Sequence, residues 1–338
     1  MNHSSTPISP ATAGVVSAVF AFTLWGVLPL YWDQIAFVPA LEVIWHRILW
    51  GGFLAWLIVW AGRLSGKLSG RLSSAHPAVS HPAVSHPTVG EEPLQASAVS
   101  TLPRLLPRGS TAWLLLLNGL FLTVNWFVYV WAVTSGRTLE ASLGYYINPL
   151  VSVLLGMVFF TEKLTIPQWV AVGSAATGVL YMTFQLGSFP WVSVVLAGSF
   201  GMYGAIKKKT VLSSIHGLAV ELTPFMVIAL VMILRGLFTG AGSFANGDGR
   251  TTLFLLGASA VTVVPLLLFG IAARRIRLAD VGFLQYIAPT LMFLVAISVF
   301  HEPVGKARII GFVWVWAGLL IYTGSNLMRR RHRVHRHL

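Results

Sequence analysis

The stretch LEVIWHRILW, residues 41–50, places Glu42, His46 and Arg47 inside an otherwise apolar run. Glu42 and His46 are four residues apart, so on a helix they share one face a single turn from each other. A carboxylate beside an imidazole can exchange a proton near neutral pH. The same three groups can also form a charge-paired gate, a substrate ligand, or a buried pair that fixes helix packing. Arg47 lies some seven residues into the run, roughly 10 Å at helical rise, where its long stem can still carry the charge back toward water.

Other polar groups stand in similar apolar company. Asn125 precedes Trp126, and an amide in such a run needs a partner from a neighbouring helix or from a ligand. Glu140, Tyr146, Asn148 and Pro149 fall within one later run, and Gln285, Tyr286 and Pro289 within another. Proline in a helix interior frees a carbonyl of the preceding turn, so Pro149 and Pro289 are expected to break their helices. Trp25 and Tyr203 each precede a glycine, which permits close helix approach beside an aromatic wall. Such walls suit amphipathic or aromatic ligands.

The elements that must position these residues follow from composition. Of 338 residues, 56% are hydrophobic and only 10% charged, with mean hydropathy +0.76. A soluble domain carries about a quarter charged residues. Ten apolar segments are long enough to cross a bilayer, near 13–32, 41–62, 112–133, 139–160, 166–186, 190–206, 217–238, 252–273, 279–300 and 307–327. The fold expected is therefore an all-α polytopic membrane protein with ten transmembrane helices.

The basic excess reports topology. Net charge is +13, but Lys and Arg lie in short clusters between apolar segments rather than along a nucleic-acid groove. With the N-terminus inside, 17 of the 23 fall on the inner side and 5 on the outer, with Arg47 inside a span. This bias predicts that both termini are cytoplasmic. The first 14 residues contain no Lys or Arg, so the first apolar segment reads as a retained helix and not a cleavable signal peptide. The tail RRRHRVHRH, 329–337, would lie against anionic lipid.

Residues 63–111 form a long inner loop in which HPAVS repeats every five residues, a composition that favours a disordered insertion. His76, His81 and His86 have no carboxylate or thiolate company there, so no metal is expected. The chain has no cysteine. HEPVG at 301–305 lacks the second histidine of a zinc motif, and no phosphate-binding or nucleophile-elbow motif occurs. No cofactor is expected, and any transport would run on a gradient or on exchange.

The chain repeats internally. Residues 137–162 align without a gap on 277–302. Seven positions are identical: Arg137/Arg277, Tyr146/Tyr286, Ile147/Ile287, Pro149/Pro289, Leu154/Leu294, Phe160/Phe300 and Glu162/Glu302, with Glu140 facing Asp280. FTLWG at 22–26 resembles FGMYG at 200–204 more weakly, and Glu42 then falls next to Glu221. Spans one to five thus repeat as six to ten. Five is odd, so the second copy enters the membrane from the opposite side. Inverted repeats recur in secondary transporters, with the substrate site near the midplane. The expected boundaries are a cytoplasmic N-terminus at 1–12, a first half at 13–186, a second at 187–327 and a basic cytoplasmic tail at 328–338.

The strings VPALEVIWHRILW (38–50), NWFVYVWAV (125–133), LEASLGYYINPLVSVLLGMVFFTEKL (139–164), FGMYGAIKKK (200–209) and GFLQYIAPTLMFLVAISVFHEP (282–303) resemble the EamA family of the drug/metabolite transporter superfamily. Within it they resemble the RarD group of bacterial inner-membrane proteins. The resemblance spans about residues 13–325. It implies a ten-helix inverted-repeat carrier for a small organic metabolite or drug in the bacterial cytoplasmic membrane. Substrate and a coupling proton would be its partners. The HPAVS insertion and the His/Arg tail depart from the family pattern. A sensor that borrows the fold and an intramembrane enzyme are the rival readings; the latter lacks a nucleophile–base pair.

Overall fold

In the computed structural model, described for residues 9–74, 109–245, 248–301 and 305–335, all regular structure among the described residues is helical. The helices are α1 (Pro10–Val27), α2 (Pro29–Asp33), α3 (Ala40–Ser74), α4 (Ser110–Thr134), α5 (Thr138–Phe160), α6 (Ile166–Leu186), α7 (Trp191–Lys209), α8 (Ser214–Thr239), α9 (Gly249–Arg275), α10 (Leu278–Gln285), α11 (Ile287–Ser298) and α12 (Lys306–His335). The HPAVS segment and Glu302 lie outside the described residues.

Each of the ten apolar segments corresponds to a helix or a broken pair of helices. Eight of these are long and apolar enough to cross a membrane: α1 with α2, α3, α4, α5, α8, α9, α10 with α11, and α12 as far as Asn326. α6 and α7 are not among the eight. α7 ends in Lys207, Lys208 and Lys209, and α6 carries Gln, Ser and Thr along its length. An all-helical membrane protein is thus what the chain builds.

Local chemistry sets the helix ends. Ser9, Ser213 and Asp248 accept hydrogen bonds from backbone amides in the first turns of α1, α8 and α9. At α6 the Thr165 backbone amide donates to Gln168 Oε1 at 3.0 Å, one arm of a capping box. Gly187 and Gly240 take the left-handed conformation that closes α6 and α8.

The prolines act differently from the sequence expectation. α5 runs unbroken through Pro149. The second break comes at Tyr286, between α10 and α11, and Pro289 lies inside α11. The physical reason is that a proline ring crowds the carbonyl four residues back, which for Pro289 is Gln285, the last residue of α10. A further break falls at Leu28, ahead of Pro29, and separates α1 from α2.

Packing joins α6 to α12, α5 to α7 and α10, α3 to α8 and α9, α1 to α9 and α11, and α4 to α7 and α8. Between apolar helices in lipid, close packing and hydrogen bonds take the place of a hydrophobic driving force. Gly282 of α10 lies so near α5 that a Cβ there would sit 2.7 Å from the Pro149 carbonyl oxygen. Asn125 donates to the Leu196 carbonyl at 2.8 Å and to Ser199 Oγ at 3.1 Å, tying α4 to α7. Trp56 Nε1 donates to Thr223 Oγ1 at 3.0 Å between α3 and α8. Such bonds in membranes contribute about 0.6 kcal/mol each. Trp60, Trp113 and Trp169 are exposed on the outside of the bundle.

Candidate functional site

Between α1, α3, α4, α5, α7, α9 and the α10–α11 break lies a cavity of about 200 Å³. Its wall is largely aromatic, built from Phe22, Trp25, Trp32, Trp126, Tyr129, Tyr145 and Phe200. The polar lining consists of Arg47, Asn125, Asn148, Thr262 and Gln285. Pro29 and Pro289 also line it, so two of the helix interruptions open onto this space.

Among the described residues, Arg47 is the only charged one in the lining, and none of the lining residues is acidic. Its Nε donates to Thr262 Oγ1 at 3.0 Å. The guanidinium carbon lies 4.5 Å from the Trp126 ring centroid and 5.2 Å from that of Trp32. No carboxylate forms an ion pair with Arg47 among the described residues. The aromatic faces offset part of the cost of holding a cation away from water, and the terminal guanidinium nitrogens remain available.

Three amides have unequal freedom. Asn125 spends its N–H groups on α7. Gln285 Oε1 accepts from Ser152 Oγ at 3.0 Å, which leaves its amide N–H groups for the cavity. Asn148 is buried, and its Oδ1 has no hydrogen-bond partner among the described residues. A buried unpaired carbonyl oxygen is costly, and a ligand donor would satisfy it.

Of the residues singled out in the sequence, Trp25, Arg47, Asn125, Asn148, Gln285 and Pro289 meet at this cavity. The others sit elsewhere. Glu42 Oε1 accepts from the backbone amides of Ser243 (2.6 Å) and Phe244 (3.1 Å). His46 is fully buried; its Nδ1 accepts from Trp50 Nε1 at 2.7 Å, and its ring lies 4.7 Å from that of Phe244. Glu42 and His46 therefore have separate partners but rest on the same Ser243–Phe244 turn. Glu140 is buried and pairs with Arg137 at 3.2 Å. Tyr203 lies behind the cavity wall, stacked on Phe269 at 5.9 Å. The Tyr286 hydroxyl donates to the Tyr146 carbonyl at 3.3 Å. The Tyr146 ring faces a second recess with Ser142, Gln185 and Arg308.

Tyr129, Tyr145, Trp32 and Thr262 line the cavity without having stood out in the sequence. Tyr145 occupies the repeat position of Gln285, which is a signal the alignment carried.

A bundle of apolar helices around an aromatic-walled cavity with a few polar groups is the architecture of a multi-span membrane protein. A model of the EamA-like transporter family matches residues 94–184. The chain is 39% identical to the uncharacterized transporter YojE of Bacillus subtilis, over 98% of both chains. It is 37% identical to the uncharacterized transporter PA0485 of Pseudomonas aeruginosa, over 92% of this chain and 93% of that one. It is 31% identical to protein RarD of Escherichia coli, over 94% and 96%. A solved crystal structure superposes with TM-score 0.60 at 17% identity, over 93% of this chain and 98% of that one, which shows a common fold. The chain belongs to the EamA-like transporter family and is similar throughout to its RarD members. It is a bacterial inner-membrane transporter of that kind.

Proposed function

We propose that the protein is a secondary carrier that moves a small organic metabolite or drug across the cytoplasmic membrane by alternating access, with the Arg47 cavity as its substrate site. The carrying observation is the cavity's construction. Helices from before and after residue 187 both supply its walls, and its polar groups turn inward where lipid could not satisfy them.

The ten segments act in this reading as two inverted five-helix halves. Support comes from the packing pairs. α1 with α9 matches α7 with α4, α3 with α9 matches α8 with α4, and α5 with α7 matches α11 with α1. Arg137–Glu140 and Arg277–Asp280 are ion pairs at corresponding places in the two halves.

Arg47 lies in the first turns of α3, Tyr129 in the last turns of α4, and Ala141 and Tyr145 in the first turns of α5. With both termini taken as cytoplasmic, as the Lys and Arg distribution predicts, those helix ends lie on the outer face in this reading. The cavity then belongs to an outward-facing form. Coupling runs on protons in this reading, with Glu42 and His46 as the titratable pair beside the Ser243–Phe244 turn.

An untargeted metabolite comparison between deletion and overproducing cells tests the function. One or a few small organic solutes are expected to shift in opposite directions, and the shift should vanish with Trp126→Ala. An unchanged solute profile would contradict the carrier reading.

A further inference from the structure

We infer that the cavity takes an organic monoanion: a carboxylate joined to a flat apolar body and bearing one hydroxyl or amide N–H. This rests on the reading of the cavity as the substrate site and names what that site selects.

The charge balance carries the argument. Among the described residues, the lining holds one fixed cation, Arg47, and no anion. Thr262 occupies its Nε, and the described residues supply no carboxylate for the terminal nitrogens. With Nε occupied, the end-on edge formed by the two terminal nitrogens matches a carboxylate in bidentate fashion, whereas an ammonium ligand would be repelled. Trp126 and Trp32 flank the guanidinium, so the group that pairs with it is held between ring faces. Trp25 and Phe200, 5.6 Å apart, supply an apolar wall for a flat body. Asn148 supplies the second, independent feature: it is 8% exposed, and its Oδ1 has no partner among the described residues. An acceptor in that position selects a ligand donor. A zwitterion fits less well, because its ammonium would find no carboxylate in the lining.

The test uses the purified full-length chain in lipid nanodiscs, with tryptophan fluorescence as the readout, since Trp25, Trp32 and Trp126 line the cavity. The probes are 3-phenyllactate, 3-phenylpropanoate, phenylalanine and phenethylamine. Phenyllactate is expected to bind tightest, phenylpropanoate less tightly, and phenylalanine and phenethylamine at least tenfold more weakly than phenyllactate. Arg47→Gln should weaken phenyllactate tenfold or more, with Arg47→Lys intermediate. Asn148→Leu should remove the advantage of phenyllactate over phenylpropanoate, a readout that holds even if the Arg47 variants fold poorly. If phenethylamine or phenylalanine binds as well as phenyllactate and Asn148→Leu weakens it, the anion class is overturned while the cavity stands as the site. If no probe changes the fluorescence, the cavity reading fails together with the inference.

Discussion

Lys207 of α7 and Glu221 of α8 form a salt bridge, Nζ to Oε1 at 2.8 Å, with side chains 3% and 0% exposed. Asn118 of α4 donates to the same Oε1 at 2.9 Å, so three helices meet at one carboxylate. Neither charge reaches the cavity lining. Removing one partner of a buried pair leaves an uncompensated charge and costs about 3–5 kcal/mol. Glu221→Gln and Lys207→Met are each expected to lower the unfolding free energy in detergent by about that much, read from denaturant titration. The double substitution Lys207→Met with Glu221→Leu should recover much of the loss. If the double variant is as unstable as the sum of the singles, the pair is not acting as a charge-neutral unit.

Glu162 locks a helix start. Its carboxylate accepts from the amides of Leu278 (2.7 Å) and Ala279 (2.9 Å) and lies 3.3 Å from Lys208 Nζ. Anions at helix N-termini and caps contribute about 1 kcal/mol. Glu162→Ala is expected to cost about that much and to speed tryptic cleavage at Arg275 and Arg277. Unchanged cleavage would show that α10 is held without this cap.

Asp248 caps α9 from outside the membrane span. Its hydrogen bonds to Thr251 hold its carboxyl below the usual aspartate range. A depressed folded value means that the contribution is present above the unfolded value and fades as pH falls through the folded one. Amide exchange at Thr251 and Thr252 should therefore quicken on acidification, beyond the intrinsic pH dependence of exchange. Asp248→Asn should abolish that excess. An equal excess in Asp248→Asn would assign it to another group.

The proton-coupling proposal has its own test. Counterflow of the substrate in proteoliposomes is expected to change with an imposed pH gradient, and Glu42→Gln or His46→Gln should flatten the response. A wild-type rate independent of the gradient would remove the proton from the account.

The helices were legible because apolar runs near 20 residues have few alternatives in a chain this hydrophobic; the segments near 139–160 and 252–273 fall on α5 and α9 within a few residues. Arg47 and Asn148 were legible as polar groups that lipid cannot satisfy, and the cavity is where they turn. Tyr145 was not. The repeat alignment drew attention to Tyr146, because Tyr286 matches it. Neither ring lines the cavity: the Tyr286 hydroxyl, at the α10–α11 break, donates to the Tyr146 backbone carbonyl of α5, and the Tyr146 ring faces the second recess. Adjacent helical residues point about 100° apart, so the neighbour takes the cavity. The break at Tyr286 was also displaced from the expected Pro289, because a proline disrupts the turn that precedes it. Trp32 and Thr262 carry no sequence signal that separates them from the many other aromatic and hydroxyl residues in spans.

Alternating access to the cavity is the central claim, and the chain is suited to its test because it contains no cysteine. Met292 lines the cavity, so Met292→Cys introduces a single thiol there. A membrane-impermeant thiol reagent is applied to right-side-out and to inverted vesicles. The account predicts labelling from both faces, with outer-face labelling slowed by conditions that favour the inward-facing form. Labelling from one face only, under every condition that leaves the protein folded, would contradict it.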